Sequence, residues 1–524
     1  MELLDRILKA SDKGFLIESD EDSFRFGSRA LQQVLLEAVP QDEAAELHRT
    51  VAQVLEKLQP RSEWVVDIAL HYEKAGCPEN AATHLLASGA EALRNFAHED
   101  ALDYYQRALK VPNDKRTAMS DDLIKEKIGK AKQGLGRFEE AETQYKELLQ
   151  RAAAPVTQVR LRRKIAECQQ MLGRFHEAHE HLTEGLNLIG VGRDPRGPKT
   201  APLQWVQKLF REISSKFNSD ELMSHHLHRV LDRQLSNLFF LRPPGWTQEV
   251  FRLALLQEDV AKKLGNPESE GQAQIFLGFA ELHNDKPDLA AQHWEKGLAI
   301  VTPLRESPYK ALLIRNMGLM HLLAGNADRA RELCELTQDI SERLTDRPGL
   351  TQVRMVLCAI ELHLAHFEEA LEHARTMLAT ADDAGLPVFR ALGWSYLARA
   401  TAFLNTGDGD AHRHLAKAEE LGKAMRLPYV DMMLWIARAW VYCDLGRHAE
   451  CQDAVKQGLE LCERIDSLPF YRLTLRCAGL WSLVESKTLD RSILVSRLVT
   501  FKADCERWEV RQFVKVAKDL LSRA

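Results

Sequence analysis

The sequence predicts an all-α protein built from stacked helix–turn–helix repeats. Three observations support this fold class. The 524 residues include only 28 glycines and 18 prolines, which is low for a protein with many turns and strands. Hydrophobic residues make up 45% of the chain and charged residues 28%, a composition that suits a large buried core and excludes wholesale disorder. A pattern of small residues also recurs at a nearly constant spacing, as in a repeat array.

The repeat consists of a small residue, a second small residue twelve positions later and an apolar residue four positions further on. The five units are Gly278/Ala290/Trp294, Gly318/Ala330/Cys334, Cys358/Ala370/Ala374, Ala398/Ala411/Leu415 with one inserted residue, and Ala439/Cys451/Val455. Their first members, which we call the anchors, are about 40 residues apart. Each unit is predicted to be a pair of antiparallel helices in close contact at the small residues. Gly325 and Gly446 lie in the predicted turns, where a residue with positive φ ends the first helix.

This pattern resembles the tetratricopeptide repeat. In that family the first helix carries an aromatic residue followed by Leu-Gly or Leu-Ala, and the second helix carries Ala, Phe or Tyr, and Ala. Trp394 and Trp435 stand four positions before the anchors Ala398 and Ala439. The period is longer than the usual value of about 34 residues, so both helices of each pair are expected to be longer than in the short consensus.

The resemblance implies a solenoid in two arrays. The predicted segments are a winged-helix-like fragment with linking helices at 1–59, an irregular first array at 60–189, a joint with one or two helices at 190–246, a regular second array at 247–465 and capping helices at 466–524. In the first array Ala81 and Ala101 are only half a unit apart, so one helix must be shared by two pairs. The joint contains clustered glycine and proline, with helices predicted at Leu203–Phe217 and Ser219–Leu238.

The first sixty residues do not follow the repeat. The sequence predicts a helix from Leu3 to Ala10, two short strands around the turn Asp20-Glu21-Asp22, and helices from Ser28 to Ala38 and from Asp42 to Leu58. Helix, hairpin, helix is the order found at the end of a winged-helix domain.

Residues 1–190 resemble the junction between winged helix and tetratricopeptide repeats in signal-transduction ATPases of the STAND type, as fused to bacterial Ser/Thr kinases, adenylate cyclases and regulators. The positions that carry the resemblance are Phe26, Leu47-His48, Ala52, Tyr72-Glu73 and Ala75-Gly76. The sequence departs from the family at Gly27-Ser28, where the second strand usually ends in Arg-His. The family's nucleotide-binding domain would lie ahead of residue 1.

Motifs for catalysis or cofactor binding are weak. The segment from Gly192 to Thr200 imitates a phosphate-binding loop, but Pro198 removes one N–H and displaces Lys199. Three histidine groups also lack the spacing of a zinc motif: His176/His179/His181, His225/His226/His228 and His363/His366/His373. A Gly-x-Ser-x-Gly elbow is absent. We therefore expect no enzyme activity, catalytic residue, cofactor or metal.

Net charge and targeting signals bear on the location of the protein and on the kinds of partner that it can bind. The net charge of −6 gives no overall basic field, and we favour a solvated helix face over an anion-binding patch for Arg160, Arg162, Arg163 and Lys164. The N-terminus lacks a signal-peptide core, and no apolar run is long enough to span a membrane. The nine cysteines include no Cys-x-x-Cys pair. The sequence therefore predicts a cytoplasmic protein without disulfides, with neither a membrane nor nucleic acid as its partner.

The concave surface of a helical-repeat solenoid is lined by the first helix of each pair and is the default binding surface. We expect the residue after each anchor to face it, together with the residue three positions before. The predicted partner-binding residues are Phe279, Arg315, Leu319, Met355, Arg399 and Trp440. Ala359, Ser395, Ile275 and Ile436 occupy the equivalent positions. For Ile275, Met355 and Ile436, packing between repeats is an equally weighted alternative.

The predicted function is a non-catalytic interaction scaffold or sensor in bacterial signal transduction that binds a protein or peptide. A separately encoded ATPase, kinase or cyclase is among the candidate partners implied by the resemblance. The alternative is a DNA-binding regulator that uses the winged helix. That alternative requires a basic recognition helix, whereas the first ten residues offer Arg6 and Lys9 against Glu2 and Asp5.

Overall fold

The computed structural model describes residues 2–20, 23–58, 64–112, 119–191, 220–284, 286–404, 408–508 and 510–524. The predicted turn at 20–22 lies partly outside these ranges, and the segment 192–219, with its phosphate-loop imitation and its predicted helix at 203–217, lies wholly outside them. The described residues form 25 helices and one two-stranded sheet. They belong to two compact units, Met1–Gly134 and Leu135–Ala524. The division falls inside the range predicted for the first array.

The first unit begins with the predicted order of helix, hairpin, helix. Helix α1 (Glu2–Asp12) precedes strands β1 (Leu16–Asp20) and β2 (Ser23–Phe26), which pair antiparallel with Leu16 opposite Phe26. Helices α2 (Arg29–Ala38) and α3 (Gln41–Lys57) follow.

Four further helices complete the first unit: α4 (Val65–Lys74), α5 (Pro78–Arg94), α6 (His98–Leu109) and α7 (Asp121–Gly134). Helix α5 packs against both α4 and α6. Ala81 and Ala101 are both buried. Helix α5 thus contacts one helix on each side, as the prediction of a shared helix requires.

The second unit continues as helix after helix with short turns. Its first helices are α8 (Phe138–Arg151), α9 (Pro155–Met171), α10 (Phe175–Ile189), α11 (Asp220–Leu241) and α12 (Trp246–Leu264). The regular pairs are α13 (Pro267–His283) with α14 (Pro287–Val301), α15 (Pro308–Leu323) with α16 (Ala327–Arg343), α17 (Arg347–Leu364) with α18 (Phe367–Asp383), α19 (Pro387–Phe403) with α20 (Asp408–Met425), and α21 (Pro428–Asp444) with α22 (His448–Arg464). Helices α23 (Pro469–Ser486), α24 (Arg491–Arg507) and α25 (Arg511–Arg523) follow.

Proline explains where the first helices of these pairs begin. A proline occupies the first turn of the first helix in all five pairs: Pro267, Pro308, Pro348, Pro387 and Pro428. Proline suits this position because its fixed φ is helical and the N–H it lacks would have no partner there. Asn266 and Ser307 cap two of these helices through side-chain oxygens that accept backbone N–H groups. Proline thus recurs with the period of the anchors.

The anchors lie where the two helices of a pair touch, as predicted. A Cβ atom built on Gly318 would come within 3.0 Å of the Cys334 sulfur and 3.2 Å of the Ala330 carbonyl oxygen. Ala398 packs in one buried cluster with Ala411 and Leu415. The turn glycines Gly325 and Gly446 have φ values of 83° and 69°, which confirms their predicted role. The fold is an all-α tetratricopeptide-type repeat.

Gly318→Leu and Ala398→Leu are each expected to lower the free energy of unfolding by about 1–3 kcal/mol, because a larger side chain forces the paired helices apart. Urea unfolding monitored by circular dichroism measures the loss. If both variants unfold at the parental urea concentration, the anchor register is incorrect.

The second unit also contains contacts between distant pairs. Helix α11 packs against α13 and α21, which belong to the first and fifth regular pairs. The Trp246 indole N–H donates to the Ile465 carbonyl oxygen at 3.1 Å, and His283 Nε2 lies 3.1 Å from the Asp466 carbonyl oxygen. The start of the regular array is therefore joined directly to the turn after α22.

Arg242 lies at the centre of this junction. Its guanidinium carbon is 5.2–5.5 Å from the ring centroids of four aromatic residues. The rings are those of Phe239, Trp246, Tyr429 and Tyr471. We call these five residues the Arg242 cluster. Arg242 is buried, its Nε donates to the Phe239 carbonyl oxygen at 3.1 Å, and its φ of 44° is left-handed.

Candidate functional site

A cavity of about 200 Å³ opens among the first helices of the regular pairs. Its walls come from α15, α17, α19 and α21, and from α23 and α25 beyond them. Residues at the predicted concave positions line it: Leu319, Met355, Ala359, Ser395, Arg399, Ile436 and Trp440. Four of the six predicted partner-binding residues thus share one cavity.

Arg399 and Trp440 are in contact in one part of the cavity wall. The guanidinium carbon of Arg399 stands 4.6 Å from the centroid of the Trp440 ring, a cation–π distance. Arg399 Nη2 donates a long hydrogen bond of 3.4 Å to the Leu362 carbonyl oxygen. Trp440 is only 9% exposed. Within the described ranges, neither its indole N–H nor Arg399 Nε has a hydrogen-bond partner.

Asp444 lies one helical turn beyond Trp440 and lines the same cavity. Burial raises the pKa of Asp444 to about 7, although the charge of Arg399 acts in the opposite direction. Burial lowers the pKa of Arg399 to about 10, so Arg399 remains charged at neutral pH. Asp444 Oδ2 has no hydrogen-bond partner in the described part of the chain. Arg399, Trp440 and Asp444 therefore line the cavity while each keeps one buried polar atom without a partner in the described ranges.

The remaining walls are mainly apolar and aromatic. His363 lies between Phe470 and Phe513, with ring centroids 5.3 and 4.9 Å away. Burial, together with the nearby charge of Arg399, lowers the pKa of His363 to about 4, so this histidine is neutral at pH 7. Phe403 is 50% exposed and lines the cavity, which places it on the solvent side.

A second cavity of about 130 Å³ adjoins the first. Leu319, Met355 and Tyr429 line both. The predicted residue Arg315 lines the second cavity, where its Nη2 donates to Asn316 Oδ1 at 2.6 Å and its Nη1 to Gln352. Burial lowers the pKa of Arg315 to about 10. Ile275, at an equivalent concave position, also lines this cavity.

Phe279, the remaining predicted partner-binding residue, lies outside both cavities. It is 1% exposed and packs against Phe239 and Trp246 at centroid distances of 5.5 Å. It lines neither cavity, because the end of α11 and the start of α12 cover it.

Sequence reasoning did not single out Asp444, Phe470 or Phe513. A usable signal was present for Asp444, since an acidic residue five positions after the anchor Ala439 interrupts an apolar helix. Phe470 and Phe513 belong to helices beyond the regular pattern, for which the anchor rule assigns no facing residue.

Basic residues of the two segments considered for binding of anions or DNA form ion pairs within the protein. Arg162 pairs with Glu184 at 2.7 Å, and Arg163 pairs with Glu167. In the first helix, Lys9 pairs with Asp5 at 3.0 Å. Across the ranges that the structure describes, no three His, Cys, Asp or Glu side chains are grouped as metal ligands, and no helix is long and apolar enough to cross a bilayer.

Comparisons with known proteins give structural neighbours only. No protein-family model matches the sequence, and no curated protein matches it. The similar solved structures include the signal transduction ATPase with numerous domains (STAND) protein with a tetratricopeptide repeat sensor from Pyrococcus horikoshii, with 16% identity and a TM-score of 0.40. That match covers 79% of this chain and 57% of the P. horikoshii chain, so this chain spans less than two thirds of it.

Two further neighbours have similar scores. A Rap protein complexed with competence and sporulation factor is 13% identical, with a TM-score of 0.39 over 62% of this chain and 95% of the Rap chain. The Cut9–Hcn1 hetero-tetramer of the APC/C is 13% identical, with a TM-score of 0.37 over 88% of this chain and 99% of the other.

Proposed function

We propose that this protein is a non-catalytic, cytoplasmic interaction scaffold or sensor in bacterial signal transduction, and that it binds a protein or peptide partner on the concave side of the second unit. The observation that supports the proposal is the shared cavity. Residues selected from the repeat register alone, Leu319, Met355, Arg399 and Trp440, line one space.

The composition of that space suits binding. Ligand sites are mostly apolar with a few placed polar groups, and the walls of this cavity are mostly apolar with a few polar side chains, among them Arg399 and Asp444. Arginine and tryptophan are also the residue types that most often dominate interface energy. The alternative of DNA binding requires basic side chains on α1 that can contact DNA, whereas Lys9 of that helix is paired with Asp5.

The double substitution Trp440→Ala with Arg399→Glu is expected to abolish partner binding and leave helicity nearly intact. It removes the aromatic anchor and reverses the charge stacked on it, so binding should weaken by about 100-fold or more. Pull-down from the native cell, quantified by mass spectrometry, and circular dichroism on the same preparation measure the two effects.

A matched control is Arg413→Glu with Tyr442→Ala, which changes the same kinds of residues at positions that line neither cavity. This control should recover the partner at the parental level. Unchanged recovery with the test variant would show that the partner binds elsewhere, and loss of helicity would show that Trp440 acts in the core.

A further inference from the structure

The second cavity has two arginines in its wall. They are Arg233 of α11 and Arg315 of α15, and no aspartate or glutamate is among the lining residues that the structure describes. Both arginines are half-buried, and 28% of the Arg233 side chain is exposed. The wall of this cavity therefore carries two partly accessible guanidinium groups and no carboxylate.

Arg315 has hydrogen-bond partners but no counter-ion. Its Nε and Nη2 donate to Asn316 Oδ1, and its Nη1 donates to Gln352 Oε1. Both acceptors are neutral amides, and three of the five guanidinium N–H groups are used. Within the described ranges, the other two N–H groups have no acceptor and no carboxylate forms an ion pair with Arg315.

The two arginines also act on each other. Burial lowers the pKa of Arg315 to about 10, and the charge of Arg233 acts in the same direction, although Asp346 opposes both effects. Like charges that face one cavity repel each other, and an anion between them removes that repulsion. Arg315 stays charged at pH 7, so the repulsion is present under physiological conditions.

Arg233 shares its carboxylate partner with another arginine. Arg233 Nε lies 3.1 Å from Glu167 Oε1, and Arg163 Nη1 donates to the same oxygen. The charge of Asp232 also acts on Arg233, but neither Glu167 nor Asp232 lines the cavity. The positive charge in the cavity wall is thus only partly neutralised.

Much of the remaining wall is aromatic. The aromatic residues that line the cavity are Phe175, Phe239, Phe240, Phe276, Phe389 and Tyr429. Aromatic rings pack favourably against one another in offset or edge-to-face arrangements. The volume is about 130 Å³, close to the roughly 150 Å³ of a cavity that holds one benzene molecule. Every lining residue is buried or half-buried, so the space suits a small molecule better than a folded element.

We propose that the second cavity binds a small aromatic oxyanion, either an aromatic carboxylate or an aryl phosphate, with the oxyanion at Arg233 and Arg315 and the ring among the aromatic side chains. Guanidinium groups present paired N–H donors that match two oxygens of a carboxylate or phosphate. This site goes beyond the proposed function, because it requires no protein partner.

The test is isothermal titration calorimetry on the full chain at a constant ionic strength of about 0.15 M. The probes are benzoate and phenyl phosphate. We expect at least one of them to bind saturably at a single site. Benzamide, which has the shape of benzoate without its charge, and acetate, which lacks the ring, should each bind about tenfold more weakly or worse. The tighter of the two probes distinguishes a carboxylate from a phosphate ligand.

Substitution of Arg315 separates its charge from its volume. Arg315→Met should weaken binding of the better probe by about tenfold or more, whereas Arg315→Lys, which keeps the charge, should retain more of the affinity. Arg413→Met is the matched control, because the Arg413 side chain is 74% exposed and lines neither cavity. This control should bind the probe like the parent. Circular dichroism confirms that each variant is folded.

Four outcomes would overturn the inference: no saturable binding of either probe, benzamide binding as tightly as benzoate, acetate binding as tightly as benzoate, or equal probe binding by Arg315→Met and Arg413→Met. If Arg315→Met loses helicity, the comparison of probes and controls on the parental chain decides. Partner recovery by Trp440→Ala with Arg399→Glu is a separate measurement, and its failure leaves this site unaffected.

Discussion

Arg242→Ala is expected to lower the free energy of unfolding of the second unit by about 3 kcal/mol. The substitution empties a space enclosed by four aromatic rings, and truncating a large buried side chain to alanine usually costs about 2–5 kcal/mol. Loss of the positive charge contributes less to the decrease in the free energy of unfolding than loss of packing. Burial lowers the pKa of Arg242, so the desolvation of its guanidinium offsets much of the attraction to the rings.

Arg242→Met separates these two contributions, because it fills most of the space without the charge. We expect this variant to lose less than about 1.5 kcal/mol. Urea unfolding followed by tryptophan fluorescence measures both, since Trp246 belongs to the Arg242 cluster. Equal losses in the two variants would mean that the charge and not the packing stabilises the cluster, and no loss in either would mean that the cluster contributes nothing.

Gly278→Ala is expected to cost about 2–3 kcal/mol, although alanine normally favours a helix. The added Cβ would come within 2.7 Å of Trp294 Cδ1 and 2.8 Å of the Ala290 carbonyl oxygen, closer than real Cβ atoms approach. Trp294 is fully buried and donates its indole N–H to the Ile275 carbonyl oxygen at 3.1 Å. The ring must move, so the pair loses both packing and that hydrogen bond.

Gly185→Ala provides the matched control. Gly185 is also a buried helical glycine, but its added Cβ meets only Val230 Cγ1, at an ordinary distance of 3.8 Å. This variant should be as stable as the parent or more stable by up to about 1 kcal/mol, because alanine loses less backbone entropy. Differential scanning calorimetry compares the two. Similar melting of both variants would contradict a close helix contact at Gly278.

Contacts within a pair could be predicted from the sequence because the partners are near in the chain. Ala398 and Ala411 touch across one turn, and the small residues recur with a fixed period. The Arg242 cluster could not be predicted in this way. Arg242 and Tyr471 are more than two hundred positions apart, in segments that do not share the period, and only the curvature of the whole array brings them together.

For the candidate site, too, the repeat period predicts only what the regular helix pairs have in common. The position after the anchor faces a cavity at Leu319, Arg399 and Trp440 because these first helices pack alike. At Phe279 the equivalent position is covered, since α11 lies against that part of the array. A periodic rule describes each repeat but contains no information on a helix from outside the pattern.

The junction between Trp246 and Ile465 also fixes the number of repeats. An open array can gain or lose a helix pair at the cost of one neighbouring interface, because each repeat contacts only the next. Here the turn after the fifth regular pair must arrive at Trp246, with the indole N–H 3.1 Å from its acceptor. One pair more or fewer would carry that turn away from α12 by a full repeat. Insertion or deletion of a whole repeat between residues 246 and 465 would therefore break this junction.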